Sequence, residues 1–302
     1  AGRIAIIELG TLKANERVRR PLSDFYQLFS SEKRGAIAAS SKRVQQEKLL
    51  KTLGIESKPL SFKIIQQAWL QGGYPEPVLS TSQTYYNEWM VQYELTYVQR
   101  DIARLFPLLD KITYRRFLTM LGKLSGNIIN KSALARALHV SEPTVARYLE
   151  IAQGTFLWRQ LPSFENNITK SIVKMPKGFI RDSGLLHHLL RISSLESLYM
   201  DPIVGGSFEA FVIEELLKGL QDSGIRQVEA YYYRTRGGSE IDLIIEGDFG
   251  LLPIEIKYGS TILGRQLRGL TEFISAQKLP FGIVINQSDQ AQWLTPNILQ
   301  VP

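Results

Sequence analysis

From residue 240 to residue 257 apolar and polar side chains alternate. Ile241, Leu243 and Ile245 fall on one side of an extended chain, and Glu240, Asp242 and Glu246 on the other. Past residues 247–250, Ile254, Ile256 and Tyr258 alternate with Glu255 and Lys257. This period of two predicts strands over 240–246 and 251–257, joined as a hairpin. A four-residue loop at 247–250 pairs Glu246 with Leu251, which sets Asp242 across from Glu255 and Glu240 across from Lys257. Strands over 228–234 and 281–285 and helices over 207–220 and 262–277 complete an αβββαβ order. A boundary is expected near Gly205 and Gly206.

Upstream the period becomes helical. Residues 61–71 and 82–106 carry that spacing, with Trp89, Tyr93, Tyr97 and Ile102 about one turn apart, and the turn-forming GGYPEP of 72–77 separates them. The aromatic stripe reads as core. A helix is expected over 112–124, short basic strands over 155–161 and 170–182, and a helix over 183–192. RIAIIEL, residues 3–9, reads as a buried strand already under way where the chain opens, as in a fragment of a longer protein. Residues 35–53 read as a polar helix or connector.

The stretch KSALARALHVSEPTVARYLEIA, from Lys131, has the form of a helix-turn-helix. Leu134, Ala135 and Leu138 share one helical face, His139 and Val140 form the turn, and Ser141 is placed to cap a second helix carrying Val145 and Leu149. Pro143 suits the first turn of that helix, where its missing N–H costs little. Glu142, Thr144, Arg147 and Tyr148 are left on the outer face, positioned for a major groove. The basic strands that follow would supply a wing. The competing reading makes the helix pair an inter-domain joint.

Charge sharpens both readings. Residues 111–200 hold 13 basic and 5 acidic side chains, whereas 201–302 hold 8 and 13. The basic middle suits a polyanion such as DNA. With no cysteine, disulfides and thiolate metal sites are excluded, and His139, His187 and His188 do not make a zinc centre: the first reads as a turn residue, and the other two are adjacent on a helix and diverge. Any metal would sit among oxygens. No apolar run approaches the roughly 18 to 20 residues needed to cross a bilayer, so a soluble, cytoplasmic protein is expected.

Like charges opposed across two strands repel unless solvated or bridged by a divalent cation. Mg²⁺ or Mn²⁺ between Asp242 and Glu255 turns repulsion into binding, polarises a phosphate and acidifies a water nucleophile. Lys257 is placed to orient that water or offset developing charge. Asp242, Glu255 and Lys257 are therefore the candidate catalytic residues for phosphodiester hydrolysis. Arg236 and Gln266, at the ends of flanking elements, are candidates for the phosphate backbone.

Asp242 followed by EIK at 255–257, within an αβββαβ order, resembles the PD-(D/E)XK nuclease superfamily, although Ile241 stands where the motif has proline. That resemblance implies a further metal-binding acid on the first helix: Glu209 in GSFEAFVIEEL, ahead of Glu214 and Glu215. Over most of its length the chain also resembles the C-terminal part of a prokaryotic AAA-type ATPase family that ends in a nuclease-like domain of unknown function. GGYPEP, YELTYVQRDI, GFIRDSGLLHHLL, RTRGGSEIDLII and PIEIKYG carry this likeness. No G-x-x-x-x-G-K-[ST] occurs, so ATP would enter only through a separate N-terminal domain.

The expected architecture is an α+β multidomain chain. A remnant of an ATPase core and a connector occupy 1–60, a helical region 61–110, a winged helix-turn-helix 111–204, and a restriction-endonuclease-like αβββαβ domain 205–302. The expected function is metal-dependent DNA processing, with DNA and an ATPase domain or a second copy as partners. A non-catalytic DNA-binding or protein-interaction module is the alternative.

Overall fold

The computed structural model describes residues 8–29, 60–165, 175–225, 227–235 and 237–302. Residues 3–7, the segment 35–53, residues 170–174 and Arg236 lie outside the described residues. The protein is α+β, with a helical N-terminal region, a small antiparallel sheet and a larger mixed sheet at the C-terminal end. Among the described residues no helix is long and apolar enough to cross a membrane.

Short α1 (Ala14–Arg17) precedes α2 (Phe62–Gln71), α3 (Pro75–Leu79) and α4 (Gln83–Tyr93). Only Gly72, Gly73 and Tyr74 of GGYPEP lie between the helices, because Pro75 opens α3 as a first-turn proline. The single helix expected over 82–106 is interrupted by a π-helical stretch, Glu94–Asp101, before α5 (Ile102–Leu105). Trp89 stacks on Tyr93, and Tyr93 on Tyr97, each pair with centroids 5.1 Å apart.

Next come α6 (Lys111–Lys123), β1 (Asn127–Ile128), α7 (Lys131–Leu138), α8 (Glu142–Gly154), β2 (Trp158–Leu161) and β3 (Lys177–Ile180). The strands form an antiparallel sheet in the order β1-β3-β2, the sequence of elements a winged helix requires. Local chemistry punctuates it. Asn130 Oδ1 accepts the Ala133 N–H, His139 ends α7 with φ 55°, and Ser141 Oγ accepts the Thr144 N–H. One apolar core joins the preceding helices to this region, running from Tyr86 and Met90 through Phe117 to Val145, Trp158 and Leu186.

α9 (Ser183–Leu190) and α10 (Leu195–Met200) lead to α11 (Val204–Asp222), then β4 (Glu229–Arg234), β5 (Glu240–Gly247), β6 (Gly250–Lys257), α12 (Arg268–Ala276) and β7 (Gly282–Asn286). The αβββαβ order is present. A hairpin absent from the sequence reading, β8 (Gln292–Thr295) and β9 (Ile298–Val301), follows. The sheet order is β4-β5-β6-β7-β9-β8, with β6, β7 and β9 parallel and the remaining neighbours antiparallel.

Two details of the hairpin differ from expectation. Gly247 pairs with Gly250, so only Asp248 and Phe249 lie between the strands, although Glu246 still pairs with Leu251. The alternation on β5 also breaks. Tyr231 faces Ile244 and Tyr233 faces Ile241, an irregularity that places three steps of β5 against two of β4. Leu243 and Ile245 therefore join the core with α11, whereas Ile241 and Ile244 join the core with α12.

The two sheets are stitched together. Beyond β2, Tyr232 N–H donates to Pro162 O at 3.0 Å and Phe164 N–H donates to Tyr232 O at 2.7 Å, which sets this segment beside β4. A Cβ on Gly126 would stand 3.0 Å from Gly206 Cα, so the approach of β1 to α11 needs glycine.

Candidate active site

Glu209 on α11, Asp242 on β5, and Glu255 and Lys257 on β6 line one cavity of about 300 Å³. The hairpin places the last three. Pairing of β5 with β6 runs from Gly247↔Gly250 to Leu243↔Ile254, and Asp242 and Glu255 follow at its end. There the Asp242 carboxylate accepts the Ile256 N–H through Oδ2 at 2.8 Å. Lys257 Nζ lies 2.5 Å from Glu255 Oε1 and 3.6 Å from Asp242 Oδ2.

Lys177, the first residue of β3, also enters the cavity. Its Nζ stands 2.6 Å from Glu209 Oε1, 3.1 Å from Glu240 Oε1 and 3.4 Å from Asp242 Oδ1, with 3% of the side chain exposed. The sequence reading placed Lys177 in a basic strand and did not assign it to the site. A lysine followed by glycine inside an otherwise apolar strand was the available signal. Asn127 and Ile128 of β1 line the same cavity, so the small sheet contributes to its wall.

Four acids, Glu209, Glu240, Asp242 and Glu255, share the cavity wall with three basic groups, Lys177, Arg234 and Lys257. Burial, then Asp242, push the Glu209 carboxyl up to about 8 against the pull of Lys177. The same two causes, in the same order, raise Glu255 against the pull of Lys257. Burial alone would lower the Lys177 ammonium, but Glu209, Asp242 and Glu240 outweigh it and hold the group charged. Glu255 Oε2 is buried without a hydrogen bond among the described residues.

These residues suit a hard cation in kind: every donor is oxygen, and the buried Glu255 Oε2 has no hydrogen bond among the described residues. Among the described residues, however, no three histidines or acids are gathered as a group able to hold an ion as they stand. Glu214 and Glu215 are used elsewhere. Glu214 pairs with Arg159 and Arg181, while Glu215 accepts the Ala14 N–H at 2.8 Å and faces Lys218 at 2.9 Å.

The nucleic-acid candidates separate. Arg147 is exposed on α8, and Thr144 is half-buried with its hydroxyl 2.9 Å from Ser141 Oγ. Tyr148 is not on the outer face. It follows Val145 by three residues, is buried, and meets the Tyr114 ring edge-on at 5.3 Å. Gln266 lies in a 3₁₀ turn and accepts the Leu263 N–H at 2.7 Å, away from the cavity lining.

The histidines serve the fold. His187 Nδ1 donates to Leu70 O at 2.8 Å, its Nε2 accepts from Ser207 Oγ at 2.7 Å, and Ser207 Oγ accepts from Trp69 Nε1 at 2.9 Å. His188 turns to Glu94 at 3.0 Å.

Two family models match the chain. Both are domains of unknown function: DUF8612 over residues 62–196 and DUF4143 over residues 204–302. Similar relatives include uncharacterized proteins of Mycobacterium bovis and Mycobacterium tuberculosis, each 33% identical over 223 residues. The match covers 74% of this chain and 49% of each relative, so the chain spans about half the length of the curated relatives it matches. No solved structure matches the chain at a significant level.

Proposed function

We propose that the C-terminal domain is a nuclease-like domain of the PD-(D/E)XK kind that hydrolyses phosphodiesters with Mg²⁺ or Mn²⁺. Its winged helix would engage DNA, and an AAA-type ATPase domain would accompany it in the cytoplasm. The meeting of Glu209, Asp242, Glu255 and Lys257 in one cavity carries this reading.

In this reading Glu209, Asp242 and Glu255 would hold the cation, which would supply Lewis-acid polarisation of the phosphate and acidification of the attacking water. Asp242 is oriented by the Ile256 N–H, and Lys257 stays charged beside Glu255. Burial lowers the Lys257 ammonium, but Asp242 and then Glu255 raise it further. A fixed ammonium there offsets the charge that builds on the phosphate oxygens. Arg147, exposed on α8, is the groove-facing cation this reading uses, and Thr144 sits beside the start of that helix. Incubating DNA with the purified protein and Mg²⁺ or Mn²⁺ tests the proposal, with Asp242→Ala as control. Cleavage is expected from the natural sequence alone, and equal cleavage by both proteins sinks the reading.

One observation favours the non-catalytic alternative. Lys177 already places a cation against Glu209 and Asp242, as a scaffold without metal would. DNA binding without cleavage, together with no Asp242-dependent uptake of Mn²⁺, is the outcome that alternative expects.

A further inference from the structure

We propose that the Lys177 ammonium and the divalent cation compete for one position, so that the nuclease centre is held shut until the Lys177 side chain withdraws. The inference rests on the metal-dependent reading above. Three acids from two elements converge on Lys177 Nζ: Glu209 of α11 at 2.6 Å, and Glu240 and Asp242 of β5 at 3.1 and 3.4 Å. Two of them are the acids assigned to the cation. A dication and an ammonium repel each other at such separations and need the same carboxylate oxygens, so one excludes the other.

A second observation points to a cation beyond the lysines. Glu255 is buried in the same cavity, and its Oε2 has no hydrogen-bond partner among the described residues, although Lys257 and Lys177 are both near. The ammonium groups leave that oxygen unsatisfied, whereas a coordinated ion can take it. The blocking group also belongs to a different part of the chain. Lys177 begins β3, which pairs with β1 and β2, and β1 contributes Asn127 and Ile128 to the cavity wall.

The test measures Mn²⁺ affinity by calorimetry for the natural sequence, Lys177→Met, Lys177→Gln, and each variant combined with Asp242→Ala. A centre that is open only part of the time binds more weakly in proportion, so both single variants are expected to bind Mn²⁺ roughly tenfold tighter or more. Asp242→Ala is expected to abolish that gain. Circular dichroism checks folding, and Lys177→Gln keeps a hydrogen-bond donor should Lys177→Met fail to fold. In the natural sequence, labelling by an amine-reactive reagent, mapped by mass spectrometry, is expected to rise at Lys177 when Mn²⁺ saturates. Equal Asp242-dependent affinity in all three proteins overturns the competition and leaves the metal-dependent reading standing. Unchanged labelling of Lys177 at saturating Mn²⁺ likewise overturns the competition. No Asp242-dependent Mn²⁺ binding in any of them overturns the metal-dependent reading and the competition together.

Discussion

The half-buried Lys257 and the buried His187 are basic groups in opposite electrostatic settings. Lys257 lies between two acids, 2.5 Å from Glu255 Oε1 and 3.6 Å from Asp242 Oδ2, and stays charged. Lys257 donates no ligand oxygen and its ammonium stands against Glu255 Oε1, so Lys257→Met is expected to lower the cleavage rate by about 10² to 10³ without weakening Mn²⁺ binding. Single-turnover kinetics and calorimetry read the two effects separately. His187 has the opposite fate: burial pushes its imidazole down from 6.5 to about 4. The folded protein therefore binds fewer protons than the unfolded chain between those values. The stability this neutral imidazole supports is complete above pH 6.5 and is lost as pH falls toward 4, by about 3 kcal/mol. Denaturant melts across this range, compared with His187→Gln, are expected to show that slope only with His187 present.

Element by element, α8 shows how one turn of helix divides structural from surface roles. Val145, Tyr148, Leu149 and Ala152 form its buried face, while Arg147 between them is exposed. Tyr148→Ala is expected to destabilise the protein by about 3 kcal/mol or more in chemical denaturation, because an aromatic ring packed on Tyr114 and Phe117 is removed. Arg147→Ala is expected to leave stability nearly unchanged and to lower the salt dependence of DNA binding by about one charge. An unchanged salt slope assigns α8 to the joint and not to the groove. On β5 the bulge opposite Tyr231 and Tyr233 has a comparable effect. It interrupts the alternation at Asp242, where the carboxylate takes a backbone N–H.

Across the whole molecule, the basic middle and the acidic end are partly each other's counterions. Arg159 and Arg181 of the winged-helix region both pair with the buried Glu214 of α11, and Lys177 pairs with Glu209. Three of the charges that argued for DNA are therefore spent inside the molecule. Burial raises and the two arginines lower the Glu214 carboxyl, with the arginines prevailing. Glu214→Ala leaves the partly buried Arg159 without its anion and is expected to cost about 3 to 5 kcal/mol. A loss below about 1 kcal/mol in a urea titration would show that apolar contacts alone hold the regions together.

The sequence by itself determined the elements and the local half of the site. Period and caps located α2, α6, α7, α8 and α11 and strands β4 to β7, because the spacing of apolar residues records which face each element buries. A short hairpin keeps Asp242 near Glu255 and Lys257 whatever the rest of the chain does, so that grouping was legible too. Tertiary structure decided the remainder. Lys177 reaches Asp242 across 65 positions, and Tyr148 turned inward because Tyr114 and Phe117 await it. Net charge showed that the middle of the chain is basic but not what its cations face. A partner distant in sequence leaves no periodic mark, and only the packing of α11 against the small sheet set an ammonium among the acids.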